Sequence, residues 1–270
     1  MNKLLIATLS IGALTLGAAN AADLRAPIKA PTPVAVAPAC AQFGGVYVGV
    51  HGGYGYYRHD YADRGNIAQS IDSDLPSSAN IADGNWLGGG QIGWNWQRNC
   101  TVFGFEADWS WSGMKANETF FDGDAGTQDS LTVQSKLRWF GTARTRAGIV
   151  VDNLLVYVTG GLAYANFKRS YTLFEDAPAT TFTFNNNSTR WGWTAGFGTE
   201  WAWSGNWSIK SEVMYMRFVN HDSTITGTTF GGINFGVPGR GYNIGSQDEV
   251  WLTRIGLNYR FGGGPILARY

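Results

Sequence analysis

The chain has 270 residues, with 20 Lys and Arg against 20 Asp and Glu, so its formal net charge is zero. Charged residues make up only 15% of it, against about 25% in an ordinary soluble domain, whereas it holds 37 glycines and 12 tryptophans. Balanced charge argues against a nucleic-acid partner, and the aromatic content argues against disorder. Two cysteines and three histidines leave little room for a Cys/His metal site or a disulfide-dense scaffold.

The N-terminal 21 residues have the three parts of a secretory signal peptide. Lys3 supplies the positive start, and residues 4–18 form an apolar stretch that is too short to span a bilayer. The small-x-small sequence that ends at Ala21 predicts cleavage between Ala21 and Ala22. Residues 22–42 hold four of the eight prolines and predict a Pro-rich periplasmic linker, with an ordered N-terminal cap as the alternative.

Alternating runs bounded by turn signals recur along the rest of the chain. Eight runs are recognisable, at about 44–57, 86–97, 101–112, 135–150, 154–169, 189–203, 207–220 and 249–261. Short connections alternate with long polar ones, which lie at about 58–85, 113–134, 170–188 and 221–248. This loop pattern is typical of outer-membrane barrels. We therefore predict an all-β fold, an eight-stranded antiparallel up-and-down transmembrane β-barrel over residues 43–261, followed by a C-terminal tail at 262–270.

Aromatic side chains cluster at both ends of the predicted strands, as the two interfaces of a membrane favour. The set beside the short turns comprises Trp94, Trp96, Trp201, Trp203, Trp207, Tyr259 and Phe261. The set beside the long connections comprises Trp86, Trp109, Trp111, Trp139, Trp191, Trp193 and Trp251. We interpret them as two aromatic belts. A soluble barrel with an aromatic core is the alternative, and it would place such rings in mid-strand, facing inward.

Charges decide which face of each strand meets lipid. Side chains alternate along a strand, and an Arg in lipid costs about 2–4 kcal/mol at the midplane. On the last run Arg254 and Arg260 therefore face the lumen, while Trp251 faces lipid. The same argument on four other runs predicts a lumen charge network of Glu106, Asp108, Arg138, Arg144, Arg146, Glu200, Lys210, Glu212, Arg254 and Arg260. We expect these charges to pair and fill the bore; a selectivity lining or gate is the alternative. The fifth run alternates too weakly to be assigned a facing.

Several segments resemble a known family. These are residues 85–97 (NWLGGGQIGWNWQ), 102–112 (VFGFEADWSWS), 155–165 (LVYVTGGLAYA), 255–261 (IGLNYRF) and the tail (GGGPILARY). They are similar to the alphaproteobacterial outer-membrane immunogenic proteins, often labelled porin family. The resemblance covers nearly the whole mature chain and implies a small barrel similar to the OmpA-type transmembrane domain. Residues 42–47 (QFGGVY) depart from the Trp-Thr-Gly-Phe-Tyr pattern of that group.

Few residues suggest any other chemistry. Cys40 and Cys100 are both expected at the periplasmic end, where an oxidising compartment would let them pair; two free thiols are the alternative. His59-Asp60 and His221-Asp222 lie at the external ends of two runs, where a rim enzyme could use such groups to activate water. Nothing else in the sequence completes such a site, so we expect no catalytic, cofactor or metal site.

The function predicted from these features is that of a structural, surface-exposed outer-membrane barrel that contributes to envelope integrity and surface interactions. A narrow small-solute channel is the alternative. The expected partners are outer-membrane lipid and lipopolysaccharide and the barrel-assembly machinery, with no nucleic acid and no cofactor. The partner of the external loops is left open.

Overall fold

The computed structural model describes residues 40–63, 78–121, 130–176, 179–219, 221–225, 229–230, 233–234 and 242–261. The predicted signal peptide with its Ala21–Ala22 cleavage site, most of the predicted linker and the C-terminal tail lie outside these residues, and so do all eight prolines. No helix within the described ranges is long and apolar enough to cross a membrane.

The described chain is built from antiparallel strands. They are β1 (Gly45–Asp63), β2 (Ser78–Arg98), β3 (Thr101–Ser112), β4 (Lys115–Phe121), β5 (Ser130–Val151), β6 (Leu154–Asp176), β7 (Ala179–Ser204), β8 (Trp207–Phe218), β9 (His221–Ile225), β10 (Thr229–Phe230), β11 (Ile233–Asn234) and β12 (Tyr242–Phe261). Eight of them form a ring in the order β1-β2-β3-β5-β6-β7-β8-β12, which closes because β12 pairs with β1. Strand β4 pairs with β5, and β9 pairs with β12. The predicted eight-stranded up-and-down barrel is confirmed.

Tight turns close one end of the barrel. Residues 99–100, 152–153 and 205–206 form two-residue turns. Each begins in the left-handed backbone region, with φ of 54° at Asn99, 53° at Asp152 and 55° at Gly205. Asn, Asp and Gly tolerate this conformation best, which is why these residues occupy tight hairpin turns.

At the other end, the prediction of long loops is wrong for much of their length. Strands β6 and β7 stay paired as far as Asp176 and Ala179, so every described residue of the predicted 170–188 loop lies in a strand. Strand β1 likewise continues to Asp63, and β5 begins at Ser130. These segments look like loops because their outward side chains are polar. A barrel wall that projects into water needs no apolar outer face, so the pairing continues.

Alternation along the strands separates an apolar outer wall from a polar interior. On β3 the side chains alternate strictly between exposed and buried, with Trp109 outside and Asp108 inside. Strand β6, which includes the run without a predicted facing, places Val158 and Leu162 outside and Tyr157 inside. The exposed apolar wall is stable only where lipid replaces water around it.

Side chains fill the interior in layers. The short-turn end is packed by an apolar cluster of Ala41, Phe43, Val102, Val150, Leu155, Tyr157 and Ala202. Charged side chains occupy the middle. Beyond them lies a larger apolar cluster that includes Leu87, Met114, Leu137, Phe140, Phe167, Met214, Phe218 and Leu252.

Candidate functional site

The middle of the lumen holds a compact group of ionic side chains, here named the central cluster. It comprises the cations Arg144, Arg146, Lys210 and Arg254 and the carboxylates Glu106, Asp108, Glu200 and Glu212. Each of these side chains is at most 4% exposed. Strand alternation brings them together, because β3, β5, β7, β8 and β12 all turn their charged positions inward.

Glu106 is the hub of the central cluster. The Lys210 ammonium lies 2.9 Å from both carboxylate oxygens, and Tyr47 donates to Oε2 at 2.6 Å. Arg144 also donates to Oε1, and Arg254 Nη2 lies 3.3 Å from the same atom. A carboxylate accepts several charge-assisted hydrogen bonds, and this one is saturated by groups from four other strands.

Asp108 and Glu212 extend the cluster. Asp108 Oδ2 accepts from Arg144 at 3.0 Å, from Arg254 at 3.1 Å and from the Thr142 hydroxyl at 2.6 Å. Glu212 accepts from Arg254 Nε at 2.7 Å. Each guanidinium thus bridges at least two carboxylates, so no single ion pair stands alone.

Arg146 and Glu200 form the part of the cluster nearest the short turns. Their Nη1 and Oε2 atoms are 2.9 Å apart. Ser208 and Asn258 donate to Glu200 Oε1 at 2.6 and 2.9 Å. The Arg146 guanidinium also lies over the Tyr47 ring, 4.6 Å from its centroid.

One glycine makes room for this packing. A Cβ atom on Gly198 would lie 2.7 Å from the Tyr157 hydroxyl and 2.8 Å from Cγ of Glu212. A side chain at this position would push both groups away from each other and break their 2.7 Å hydrogen bond.

Nine of the ten charges predicted for the lumen face it, and Arg138 does not. Arg260 lies apart from the cluster, at the short-turn end, where it donates to the Gln42 carbonyl. The prediction for Arg138 is wrong because the β5–β6 register shifts between Leu137 and Trp139. Such a bulge inserts one extra residue and reverses the alternation beyond it, which leaves Arg138 exposed.

A second cluster of polar side chains lies in the lumen, at the end away from the short turns and beyond the level of Trp251. We name it the outer cluster. It comprises Tyr57, His59, Arg169, Arg190 and Asp248. Asp248 accepts from Tyr57 at 2.6 Å and from Arg190 at 3.0 Å, lies 2.8 Å from His59 Nδ1, and also accepts from Arg169. Burial alone would raise the pKa of Asp248, but the Arg169 charge and the His59 hydrogen bond outweigh it and hold that pKa well below its usual value.

Sequence reasoning missed the outer cluster. His59 and Asp248 fall in segments predicted as loops, and Arg169 ends the run without an assigned facing. The available signal was alternation that continues past the predicted strand ends, with Tyr57 and His59 two residues apart. The structure does not bring His59 and Asp60 into one rim site, because His59 is buried in the lumen while Asp60 pairs with Arg58 outside at 3.2 Å. The side chains of His221 and Asp222 lie outside the described part of the chain.

The short-turn end is closed by residues that precede β1. A disulfide joins Cys40 to Cys100, with Cα atoms 5.5 Å apart. The Phe43 amide donates to Gln97 Oε1 at 2.6 Å, and the Phe43 ring is 2% exposed. The last residues of the predicted linker, Cys40–Gln42, therefore pack against the barrel as an ordered cap.

The aromatic rings of both predicted belts point away from the lumen. In the outer belt, beside the projecting hairpins, Trp109 stacks on Trp139 at 4.3 Å, and Tyr164 lies between Trp139 and Trp191 at 5.5 and 4.5 Å. The inner belt includes Trp94, Trp96, Trp201, Trp203 and Trp207, each more than two-fifths exposed. Two rings of interfacial aromatics around an apolar band are the girdles of a transmembrane barrel.

The chain is similar in sequence to known proteins over most of its length. The profile of the family described as "Outer membrane protein beta-barrel domain" matches residues 11–261. The chain is 31% identical to the 31 kDa outer-membrane immunogenic protein of Brucella melitensis biotype 1, over 93% of this chain and 97% of that protein. It is 26% identical to the 25 kDa outer-membrane immunogenic protein of Brucella abortus biovar 1, over 92% and 91%. The solved structure of the outer membrane protein OprG from Pseudomonas aeruginosa aligns with 82% of this chain and 97% of that chain, at 12% identity and a TM-score of 0.38.

The closed ring of eight strands, the two outward belts and a profile match over nearly the whole chain lead to one assignment. The chain belongs to the outer membrane protein β-barrel domain family and is a protein of the bacterial outer membrane.

Proposed function

We propose that this protein is a structural, surface-exposed barrel with a closed lumen, which contributes to envelope integrity and displays its projecting hairpins outside the cell. One observation carries the proposal: the Glu106–Lys210 ion pair reaches from one wall of the barrel to the other.

The position of this pair follows from the strand order. Glu106 is on β3 and Lys210 is on β8, and these strands are four places apart in a ring of eight, which is the largest separation available. Their direct contact bridges the bore from one wall to the opposite wall at this level. Both side chains are almost fully buried, at 2% and 0% exposure.

Steady conduction needs a continuous watery path, and an ion that passed this level would have to separate buried partners. Breaking a buried, hydrogen-bonded ion pair costs about 3–5 kcal/mol. The barrel is also packed above and below the cluster, by Phe140 and Phe167 on one side and by Phe43 on the other. These layers favour a filled interior over the alternative of a narrow channel.

The projecting wall supports the surface role. Strands β6 and β7 remain paired for 12 residues beyond Tyr164, as far as Asp176. At about 3.3 Å per residue this hairpin extends roughly 40 Å along the strand from the outer belt. Such a paired hairpin presents side chains well outside the membrane.

Single-channel recording of the refolded full chain in planar bilayers tests the closed lumen, with a large porin as the positive control. We expect no steady conductance from the wild type. A steady wild-type conductance whose amplitude changes in Arg144→Gln would overturn the closed lumen and favour the channel. The exposed variant Arg217→Gln controls for a general effect of lost charge.

The envelope role is tested in a strain that lacks the gene, by growth in the presence of a detergent and of a bulky antibiotic. We expect greater sensitivity than in the parent strain, and restoration by the wild-type gene. Unchanged sensitivity would contradict this part of the proposal.

A further inference from the structure

Three lysines stand side by side on the outer wall of the barrel. Lys115 on β4 is paired with Lys136 on β5, and Lys136 is paired with Lys168 on β6. All three side chains are exposed, and the bulge beside Lys136 turns Arg138 outward as well. We name these four residues the basic row.

Like charges at directly opposed positions destabilise a sheet. Neighbouring strands are about 4.8 Å apart, so the three lysines lie within about 10 Å of one another. Within the described side chains, none of the four cations has a carboxylate partner. Glu118, the one carboxylate of β4, is an odd number of residues from Lys115 and so falls on the other face.

Among the described side chains, the other exposed cations of the projecting wall are paired. Arg58 on β1 lies 3.2 Å from Asp60, and Arg217 on β8 lies 3.7 Å from Glu249. The basic row is therefore not a general property of this wall. It is a local excess of positive charge on three adjacent strands, which an external anion would neutralise.

The height of the basic row matches the lipid headgroups. Lys115 follows Trp111 by four residues, Lys168 follows Tyr164 by four, and Lys136 precedes Trp139 by three. On the continuous strand β6 the four residues from Tyr164 to Lys168 span about 13 Å, and the register with β5 places Lys136 two β6 residues, about 7 Å, beyond Trp139. Lysine stems can bend back along the wall, which brings the ammonium groups to the polar layer just outside the outer belt.

An apolar groove begins at Trp111 on β3, four residues before Lys115. Two shallow depressions of about 550 and 560 Å³ on the outer wall share Ile92 and Ala107 and so form one groove. It runs from Trp111 in the outer belt down to Trp94 in the inner belt. Small residues such as Ala143 and Gly160 form its floor, and their size gives room for an extended hydrocarbon chain.

We propose that the basic row binds the phosphate groups of a phosphorylated glycolipid of the outer leaflet, with an acyl chain of the same molecule in the groove. Arg138 supplies a planar guanidinium that can engage a phosphate through two hydrogen bonds, and the lysines supply point charges around it. The ligand thus joins a headgroup contact above the belt to a chain contact below it. This binding site rests on the outer-membrane location and on the proposed orientation, with the projecting hairpins outside the cell, and it does not depend on whether the lumen conducts.

Binding is measured with the refolded full chain in neutral detergent micelles by native mass spectrometry, with bisphosphorylated lipid A as the probe. The variant Lys115→Gln/Lys136→Gln/Lys168→Gln is compared with Arg58→Gln/Arg98→Gln/Arg217→Gln, which also removes three exposed cations but lies outside the basic row. Heat-modifiable gel mobility shows that each variant is folded. We expect the lysine variant to lose about tenfold or more in affinity and the control to change less than about twofold.

Two further arms identify the source of the phosphate. Lipid A stripped of its phosphates should bind wild type and lysine variant equally weakly. Inorganic phosphate should compete poorly, because it cannot use the groove. Equal affinity of the lysine variant and the wild type for lipid A overturns the site, and full competition by millimolar phosphate overturns the lipid as its ligand.

Discussion

Lys210 Nζ on β8 lies 2.9 Å from both carboxylate oxygens of Glu106 on β3, although 104 residues separate them in sequence and their strands form opposite walls of the barrel. The pair connects the two halves of the barrel through its centre. Arg144 and Arg254 share the same carboxylate, so the contact is part of a network and not an isolated bridge.

Replacement of Lys210 by methionine should destabilise the folded barrel by about 3–5 kcal/mol, because it removes one partner of a buried charge. Urea unfolding in lipid vesicles, followed by tryptophan fluorescence, measures the change. Arg217→Gln removes a cation from an exposed pair and should cost less than about 1 kcal/mol. If the two variants lost the same free energy of unfolding, burial would not strengthen the ion pairs of the central cluster.

Phe167→Ala should cost about 3–5 kcal/mol in the same assay, because it opens a cavity in the apolar layer. The Phe167 ring is fully buried, stacks on Tyr57 at 5.8 Å and meets the edge of Phe218 at 5.1 Å. Phe121→Ala is the matched control, since that ring is 72% exposed on β4. A small loss at Phe167 would mean that this layer is loosely packed.

Stability should fall in acid because of Asp248. Its pKa is lower in the folded than in the unfolded state, so its contribution is present above the unfolded pKa, near 4, and is lost as the pH drops toward the folded pKa. Asp248→Asn should therefore be less stable than wild type at pH 7, and the gap should narrow at pH 3. A gap of constant size would contradict the ionic role of the outer cluster. Asp60→Asn, which alters an exposed ion pair, should behave like wild type at both pH values.

The Cys40–Cys100 bond closes a segment with a sequence separation of 60 residues. A crosslink that closes a loop of this length lowers the conformational entropy of the unfolded chain. When chain entropy alone is counted, this raises the free energy of unfolding by about 4 kcal/mol. Cys40→Ser/Cys100→Ser should lose stability of this order, and reductant should destabilise the wild type but not the variant. Mass spectrometry without reductant should find the mature wild type lighter than its reduced form by two hydrogen atoms.

The local sequence was enough to predict the barrel and most strand faces. Side chains alternate between the two faces of a strand, and the energetic cost of a charge in lipid identifies which face is the lumen. The outward position of Trp251 and the inward position of Arg254 therefore follow from the residues next to them in sequence. The aromatic belts can be predicted in the same way, because each aromatic ring identifies the part of its own strand that lies at a membrane interface.

Tertiary structure alone decided which charges meet. Lys210 reaches Glu106, and His59 reaches Asp248, because strand register and ring closure bring distant residues to one height inside a narrow bore. Arg138 faces outward because one extra residue in β5 breaks the register with β6, which a count along a single strand does not reveal. The projecting hairpins were missed for a related reason: outside the membrane, strands are stabilised by partners across the sheet, and local composition no longer distinguishes them from loops.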